Sequence, residues 1–167
     1  MDGGGAPGFL AVPTAAGMAE LGRRLATGLR AGDLVILAGE LGAGKTVLAQ
    51  GIGAGLGVRG PITSPTFVLA RVHPSLTGGP GLVHVDAYRL TDPAEVDDLD
   101  LEVTLEDSVT VVEWGAGLAE QLTEQRLEVV IERSEDPGDE TRQVTITPAP
   151  ALAARVAQAL SGQAVAA

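Results

Sequence analysis

Eight consecutive residues, Gly39-Glu40-Leu41-Gly42-Ala43-Gly44-Lys45-Thr46, follow the pattern G-x-x-x-x-G-K-[ST]. In such a loop the glycines let backbone N–H groups curl around phosphate oxygens. The lysine ammonium reaches the β- and γ-phosphates, and the threonine hydroxyl binds Mg²⁺. The helix that follows adds the positive end of its dipole. Lys45 is the only lysine in the chain; every other basic residue is arginine. The single ammonium therefore sits where a nucleotide phosphate would lie. The bland alternative, a glycine-rich turn before a helix, does not account for the apolar strand pattern leading into it.

A phosphate loop needs a carboxylate at the end of a neighbouring strand, to hold Mg²⁺ directly or through water. Asp86 follows the apolar run 82–85, and Glu113 follows 109–112. Spacing alone does not rank them, and either could be a solvated turn residue. Thr63-Ser64-Pro65-Thr66 is a hydroxyl-rich loop of the kind that senses a γ-phosphate in switch-type nucleotidases, or else an ordinary proline turn. Arg89 could stabilise phosphate charge or pair with Asp86. Trp114, the only tryptophan, follows Glu113 and could pack on the nucleotide site or meet a partner. His84 alternates with Val83 and Val85 and reads as a packed or hydrogen-bonded strand residue. His73 falls in a flexible stretch and carries no evident chemistry.

The elements that must position these groups are legible in outline. The segment 9–12 reads as a first strand, and Thr14 as the N-cap of a helix reaching about 29, with Met18, Leu21, Leu25 and Leu29 on one face. A buried strand over 34–38 enters the phosphate loop, and a helix continues over 47–56. Further strands are expected over 67–72, 82–86 and 109–113, with a Pro- and Gly-rich connection over 73–81. Asp92 and Pro93 open a short helix as N-cap and first residue. The acidic stretch 95–106 reads as a solvated helix face, or a docking surface for a basic partner. A helical turn or two falls in 116–122. A β-hairpin over 127–131 and 143–147 and a helix over 151–160 complete the pattern. The expected organisation is a disordered tail over 1–8, one domain over 9–161, and a frayed end over 162–167.

Composition narrows the function further. A chain of 167 residues with 45% hydrophobic content is expected to bury a real core. It has no cysteine, which excludes disulfides, thiolate metal sites and a cysteine nucleophile and fits a reducing cytoplasm. A net charge of −11 disfavours tight binding to DNA or RNA. No apolar run is long enough for a membrane helix. An Asn-Lys-x-Asp guanine-reading motif is impossible, because the only lysine is already used. Nothing marks a kinase lid or a substrate pocket, so a minimal nucleotide-driven switch is expected.

Four segments together resemble the TsaE (YjeE) family of bacterial ATPases: residues 39–46, Thr63-Ser64-Pro65-Thr66-Phe67, His84-Val85-Asp86-Ala87-Tyr88-Arg89-Leu90, and Val112-Glu113-Trp114. The resemblance runs from about 12 to 148. It implies a three-layer α/β P-loop fold with a mixed, mostly parallel central sheet, here with a C-terminal β-hairpin. It implies a cytoplasmic ATPase required for the N6-threonylcarbamoyladenosine (t6A) modification of tRNA. Such proteins bind the complex of TsaD, which transfers the threonylcarbamoyl group, with TsaB, and their ATP cycle resets it. They meet tRNA only indirectly, with no role for DNA or a membrane.

Carried over by position, ATP would be held by Gly39, Glu40, Leu41, Gly42, Ala43, Gly44, Lys45, Thr46 and Val47, with Thr14, Trp114 and Arg142. Thr46 and Glu113 would serve Mg²⁺, and Lys45, Asp86 and Glu113 catalysis. Two departures stand out: Gly115 replaces a common proline, and Val47 a common threonine. A small-molecule kinase and a non-hydrolysing, nucleotide-dependent docking switch are the alternatives.

Overall fold

The computed structural model describes residues 8–62 and 70–161. The tails expected over 1–8 and 162–167 lie outside the described residues, except Gly8, which opens the first strand. So do the hydroxyl-rich loop Thr63-Ser64-Pro65-Thr66 and the start of the strand expected from Phe67.

The elements follow in the order β1 (Gly8–Val12), α1 (Ala15–Gly28), β2 (Leu34–Gly39), α2 (Lys45–Leu56), β3 (Ala70–His73), β4 (Gly81–Asp86), α3 (Pro93–Asp97), α4 (Glu102–Leu105), β5 (Ser108–Glu113), β6 (Arg126–Arg133), β7 (Arg142–Pro148) and α5 (Pro150–Ser161). A single 3₁₀ turn covers Glu120–Leu122. The strands form one sheet in the order β1-β7-β6-β2-β5-β4-β3. β6, β2, β5 and β4 are parallel. Antiparallel strands close both edges: β7 and β1 on one side, β3 on the other. The mixed sheet with a parallel centre and the C-terminal β6–β7 hairpin match the expected fold class.

The central strands are apolar on both faces because both faces are covered. On one face Val35, Leu37, Val109, Val111, Leu127 and Val129 pack with Leu21, Leu25, Leu48 and Ile52 from α1 and α2 and Leu152 from α5. On the other, Leu34, Ile36, Val83, Val85 and Val112 pack with Val96 and Leu101. Each fully buried Leu or Ile contributes about 1.5–3 kcal/mol. α1 begins where the Thr14 hydroxyl accepts a hydrogen bond from the Gly17 N–H at 3.0 Å, as the N-cap reading required. α1 and α2 approach closely at Gly51, where any Cβ would drive into the Ala19 carbonyl oxygen. That contact sets the seat of α2, and with it the phosphate loop at its start.

Two expectations change. The acidic stretch 95–106 is not one solvated helix face. α3 and α4 are separate, joined through Asp100 with φ 52°, and Val96 and Leu101 turn inward to cover the sheet. The burial of these two apolar side chains outweighs a continuous helix. His73 is not in a flexible connection. It ends β3, is buried, and its Nδ1 lies 3.0 Å from the Arg59 carbonyl oxygen. Among the described residues no helix is long and apolar enough to cross a membrane.

Candidate functional site

The strand–loop–helix context of a phosphate loop is present in full. β2 ends at Gly39, the loop turns through Gly42 (φ 78°) and Gly44 (φ 115°), and α2 starts at Lys45. Those two left-handed conformations are open to glycine and strained for other residues. Gly44 caps α2 without any side-chain hydrogen bond, so the first-turn N–H groups of α2 face the loop.

Lys45 is nearly buried. Its Nζ donates to the carbonyl oxygens of Gly39 at 2.7 Å and Glu40 at 2.9 Å, and lies 4.0 Å from the centroid of the Trp114 ring. Burial lowers its pKa from the ordinary lysine value, while the negative charges of Glu113 and Asp86 oppose that shift. The ammonium is thus held by two carbonyls and an aromatic face between two acids.

The parallel register sets those acids side by side. Asp86 at the end of β4 is paired with Glu113 at the end of β5, and neighbouring strands lie about 4.8 Å apart. They differ in setting. Glu113 is 3% exposed. It accepts from the Thr46 hydroxyl, with Oγ1 3.1 Å from Oε1 and 3.2 Å from Oε2. Its Oε2 also accepts from His84 Nε2 at 2.5 Å. Asp86 is half-buried and its Oδ1 accepts from the Tyr88 N–H at 3.0 Å. Geometry thus ranks what spacing could not: Glu113 lies against the threonine of the loop, and Asp86 at the rim. Lys45, Thr46, Asp86, Tyr88, Glu113 and Trp114 line one cleft of about 410 Å³.

Trp114 holds a left-handed backbone, φ 63°, unusual for a bulky side chain. The strain, about 1–3 kcal/mol, is offset locally. The Trp114 N–H donates to the Leu37 carbonyl at 3.0 Å, and the indole meets Tyr88 edge-on, with centroids 5.0 Å apart. Gly115 follows for a steric reason: a Cβ there would stand 2.7 Å from Val112 Cγ1.

A second cleft, about 230 Å³, opens on the α1 side of the loop between Thr14, Met18, Ala43, Val47, Glu140 and Arg142. Arg142 Nε donates to the Ala43 carbonyl at 3.2 Å and Nη1 to the Glu140 carbonyl at 2.8 Å. The two clefts share Gly42, Gly44 and Val47. The structure therefore places Thr14 and Arg142 on one side of the loop, and both acids and Trp114 on the other. Leu41 projects from the loop, exposed, and Glu40 is exposed at its turn. No Arg89–Asp86 ion pair forms among the described residues. His84 is packed and hydrogen-bonded as read from the sequence, fully buried and bonded to Glu113, a partner the sequence did not name. The available signal was a histidine two residues before Asp86 in an otherwise apolar run, a polar group that must find a partner when buried.

A family model described as threonylcarbamoyl adenosine biosynthesis protein TsaE matches residues 12–144. The chain belongs to the TsaE family. It is 67% identical over 132 residues to the tRNA threonylcarbamoyladenosine biosynthesis protein TsaE of Streptomyces coelicolor, covering 78% of this chain and 89% of that protein. It is 54% identical over 133 residues to the TsaE of Mycobacterium tuberculosis, covering 75% and 79%. The fold is similar to the crystal structure of Bacillus subtilis YdiB, with a TM-score of 0.75 and 26% identity over 95% of this chain and 96% of that one. Residues 12–144 of the TsaE match include Thr14, the whole phosphate loop, both acids, Trp114 and Arg142.

Proposed function

We propose that the chain is a Mg²⁺-dependent ATPase of tRNA t6A biosynthesis, whose ATP cycle resets the TsaD–TsaB complex between rounds of modification. The observation that carries the reading is the hydrogen bond between Thr46 and Glu113 beneath a complete phosphate loop. Family membership supplies the pathway.

The residues present fit Mg²⁺. A hydroxyl and a carboxylate oxygen are the hard donors this ion prefers. No group of three or more His, Asp or Glu among the described residues is arranged to hold an ion unaided, so phosphate oxygens and water would complete the shell. When bound, the ion would neutralise charge building on the β- and γ-phosphate oxygens.

The chain's own groups divide the remaining work. The loop N–H groups and the start of α2 orient the phosphates. Lys45 exchanges its carbonyl partners for phosphate oxygens and carries positive charge to the γ-phosphate. Thr46 and Glu113 would hold the cation. Asp86, at the rim, positions the attacking water. The cleft beside Thr14 and Arg142 receives the nucleoside end. Turnover by the isolated protein is slow, because no arginine finger is evident in the sequence.

The test is labelled-ATP turnover with and without TsaD–TsaB, in Mg²⁺ and in EDTA. Slow Mg²⁺-dependent release of free phosphate, changed by TsaD–TsaB, supports the proposal. Fast turnover indifferent to TsaD–TsaB contradicts it. Transfer of label to a metabolite would make the chain a kinase. A Glu113→Gln protein that bound ATP and still sustained repeated t6A synthesis would make it a docking switch instead.

A further inference from the structure

We infer that His84 is a positioning residue that fixes the rotamer of Glu113 and so tunes cation affinity at the loop. The inference rests on the reading of Glu113 as the metal-linked carboxylate. His84 stands two residues before Asp86 on β4, so its side chain shares Asp86's face of the sheet. It lies diagonal to Glu113, since its own partner in register on β5 is Val111. The Glu113 side chain is thus gripped from two elements. Thr46 on α2 reaches both carboxylate oxygens, and His84 on β4 takes Oε2.

The chemistry sets the tautomer. A carboxylate can only accept here, so the hydrogen on the 2.5 Å contact belongs to His84 Nε2. The imidazole's other nitrogen, Nδ1, is buried and has no hydrogen-bond partner among the described residues. That is poor design for stability. A leucine would fill the same stretch of an apolar strand, between Val83 and Val85, without an orphaned polar atom. The imidazole is kept for what Nε2 does.

No other described donor replaces it. Lys45 Nζ bonds to Gly39 and Glu40, and no arginine is paired with Glu113. Without His84, Glu113 would keep only the Thr46 hydroxyl, a donor that must itself turn an oxygen toward the cation. Hydrogen bonds that orient a metal-binding carboxylate typically change metal affinity about 10- to 100-fold when removed.

The experiment measures Mn²⁺, as a paramagnetic stand-in for Mg²⁺, binding to the protein–ADP complex by electron paramagnetic resonance. His84→Leu, His84→Gln and Glu113→Gln are compared with the native chain, and ADP affinity is measured separately in EDTA. His84→Leu should weaken Mn²⁺ about 10-fold or more. Its ADP affinity in EDTA should stay within about twofold, since the Nε2 of His84 is spent on Glu113 rather than on the loop. His84→Gln, whose amide N–H can reach Glu113, should recover most of the loss, which a packing role would not produce. A folded His84→Leu protein that bound Mn²⁺ like the native chain would overturn the inference, provided Glu113→Gln lost the ion. If Glu113→Gln also kept it, the metal reading itself would fall, and this inference with it. If the His84 variants do not fold, nitrogen-15 NMR of the native protein decides. The Nε2–H tautomer, lost from its hydrogen-bonded shift in Glu113→Gln, supports the inference; the Nδ1–H tautomer overturns it.

Discussion

Each end of the parallel strands holds a buried carboxylate, and the two are partnered in opposite ways. Just before β2, Asp33 is 1% exposed and held by a guanidinium. Arg155 Nη1 reaches Oδ2 at 2.7 Å and Nη2 reaches Oδ1 at 3.2 Å, and the Arg30 N–H adds 2.7 Å to Oδ2. At the far end Glu113, 3% exposed, meets only an imidazole and a hydroxyl. Arg155 also donates to the Gly28 carbonyl at the end of α1, so the first cluster ties α5, α1 and β2 together. The Asp33 charge is used up by its clamp, and the pairing raises the Arg155 pKa through the hydrogen bond to Asp33. The Glu113 charge has no guanidinium to cancel it. A buried acid fully paired is structural. A buried acid oriented by an imidazole and a hydroxyl, with a lysine nearby that it shares with Asp86 and no ion pair to a guanidinium, is fit to take a cation, and it lies at the carboxyl ends of the strands, where open α/β sheets bind ligands.

The sharpest way to break this contrast is Lys45→Ala. ATP turnover should fall about 10²–10³-fold. The melting temperature should move by no more than about 2 °C, because burial already disfavours the ammonium. Glu113→Gln comes next, with turnover down about 100-fold and ATP binding retained, read by single-turnover kinetics and calorimetry. At the opposite end, Arg155→Leu leaves the Asp33 charge stranded. It should cost about 3 kcal/mol in chemical denaturation, or about 6–12 °C in melting temperature, with turnover per folded molecule unchanged. Glu113 stands beside Leu37, four residues along β2 from Asp33, so the two acids lie roughly 13 Å apart along the strand and the double variant Glu113→Gln, Arg155→Leu should show both effects additively. The smallest effect is expected for Arg142→Ala: about 10-fold weaker nucleotide, with stability little changed, because Arg142 donates to the loop only at Ala43.

What the residues announced in advance was local. The run Leu34 to Ala38 leading into Gly39, the stripe Met18, Leu21 and Leu25, and the caps Thr14 and Asp92 are set by neighbours three or four positions away, and the structure has them where expected. The site was half legible for the same reason. The loop, both acids and Trp114 are motif residues, yet their ranking depends on which strands lie side by side. Asp86 meets Glu113 only through the β4–β5 register, and His84 meets Glu113 across 29 positions of sequence. No periodicity carries that pairing. The break at Asp100 was hidden because acidic residues dominate 95–106, while Val96 and Leu101 decide its shape. Gly115 read as a departure, and the structure adds that a Cβ there would crowd the methyl group of Val112.

The central claim is that the end holding Lys45 and Glu113 drives a partner's chemistry, while the end holding Asp33 only holds the fold. It is tested most directly by counting t6A formed per TsaD–TsaB complex over many rounds, below the melting point of every variant. Native chain and Arg155→Leu should both sustain repeated synthesis, and Lys45→Ala should stall near a single round. Repeated synthesis with Lys45→Ala at the native rate would contradict the account.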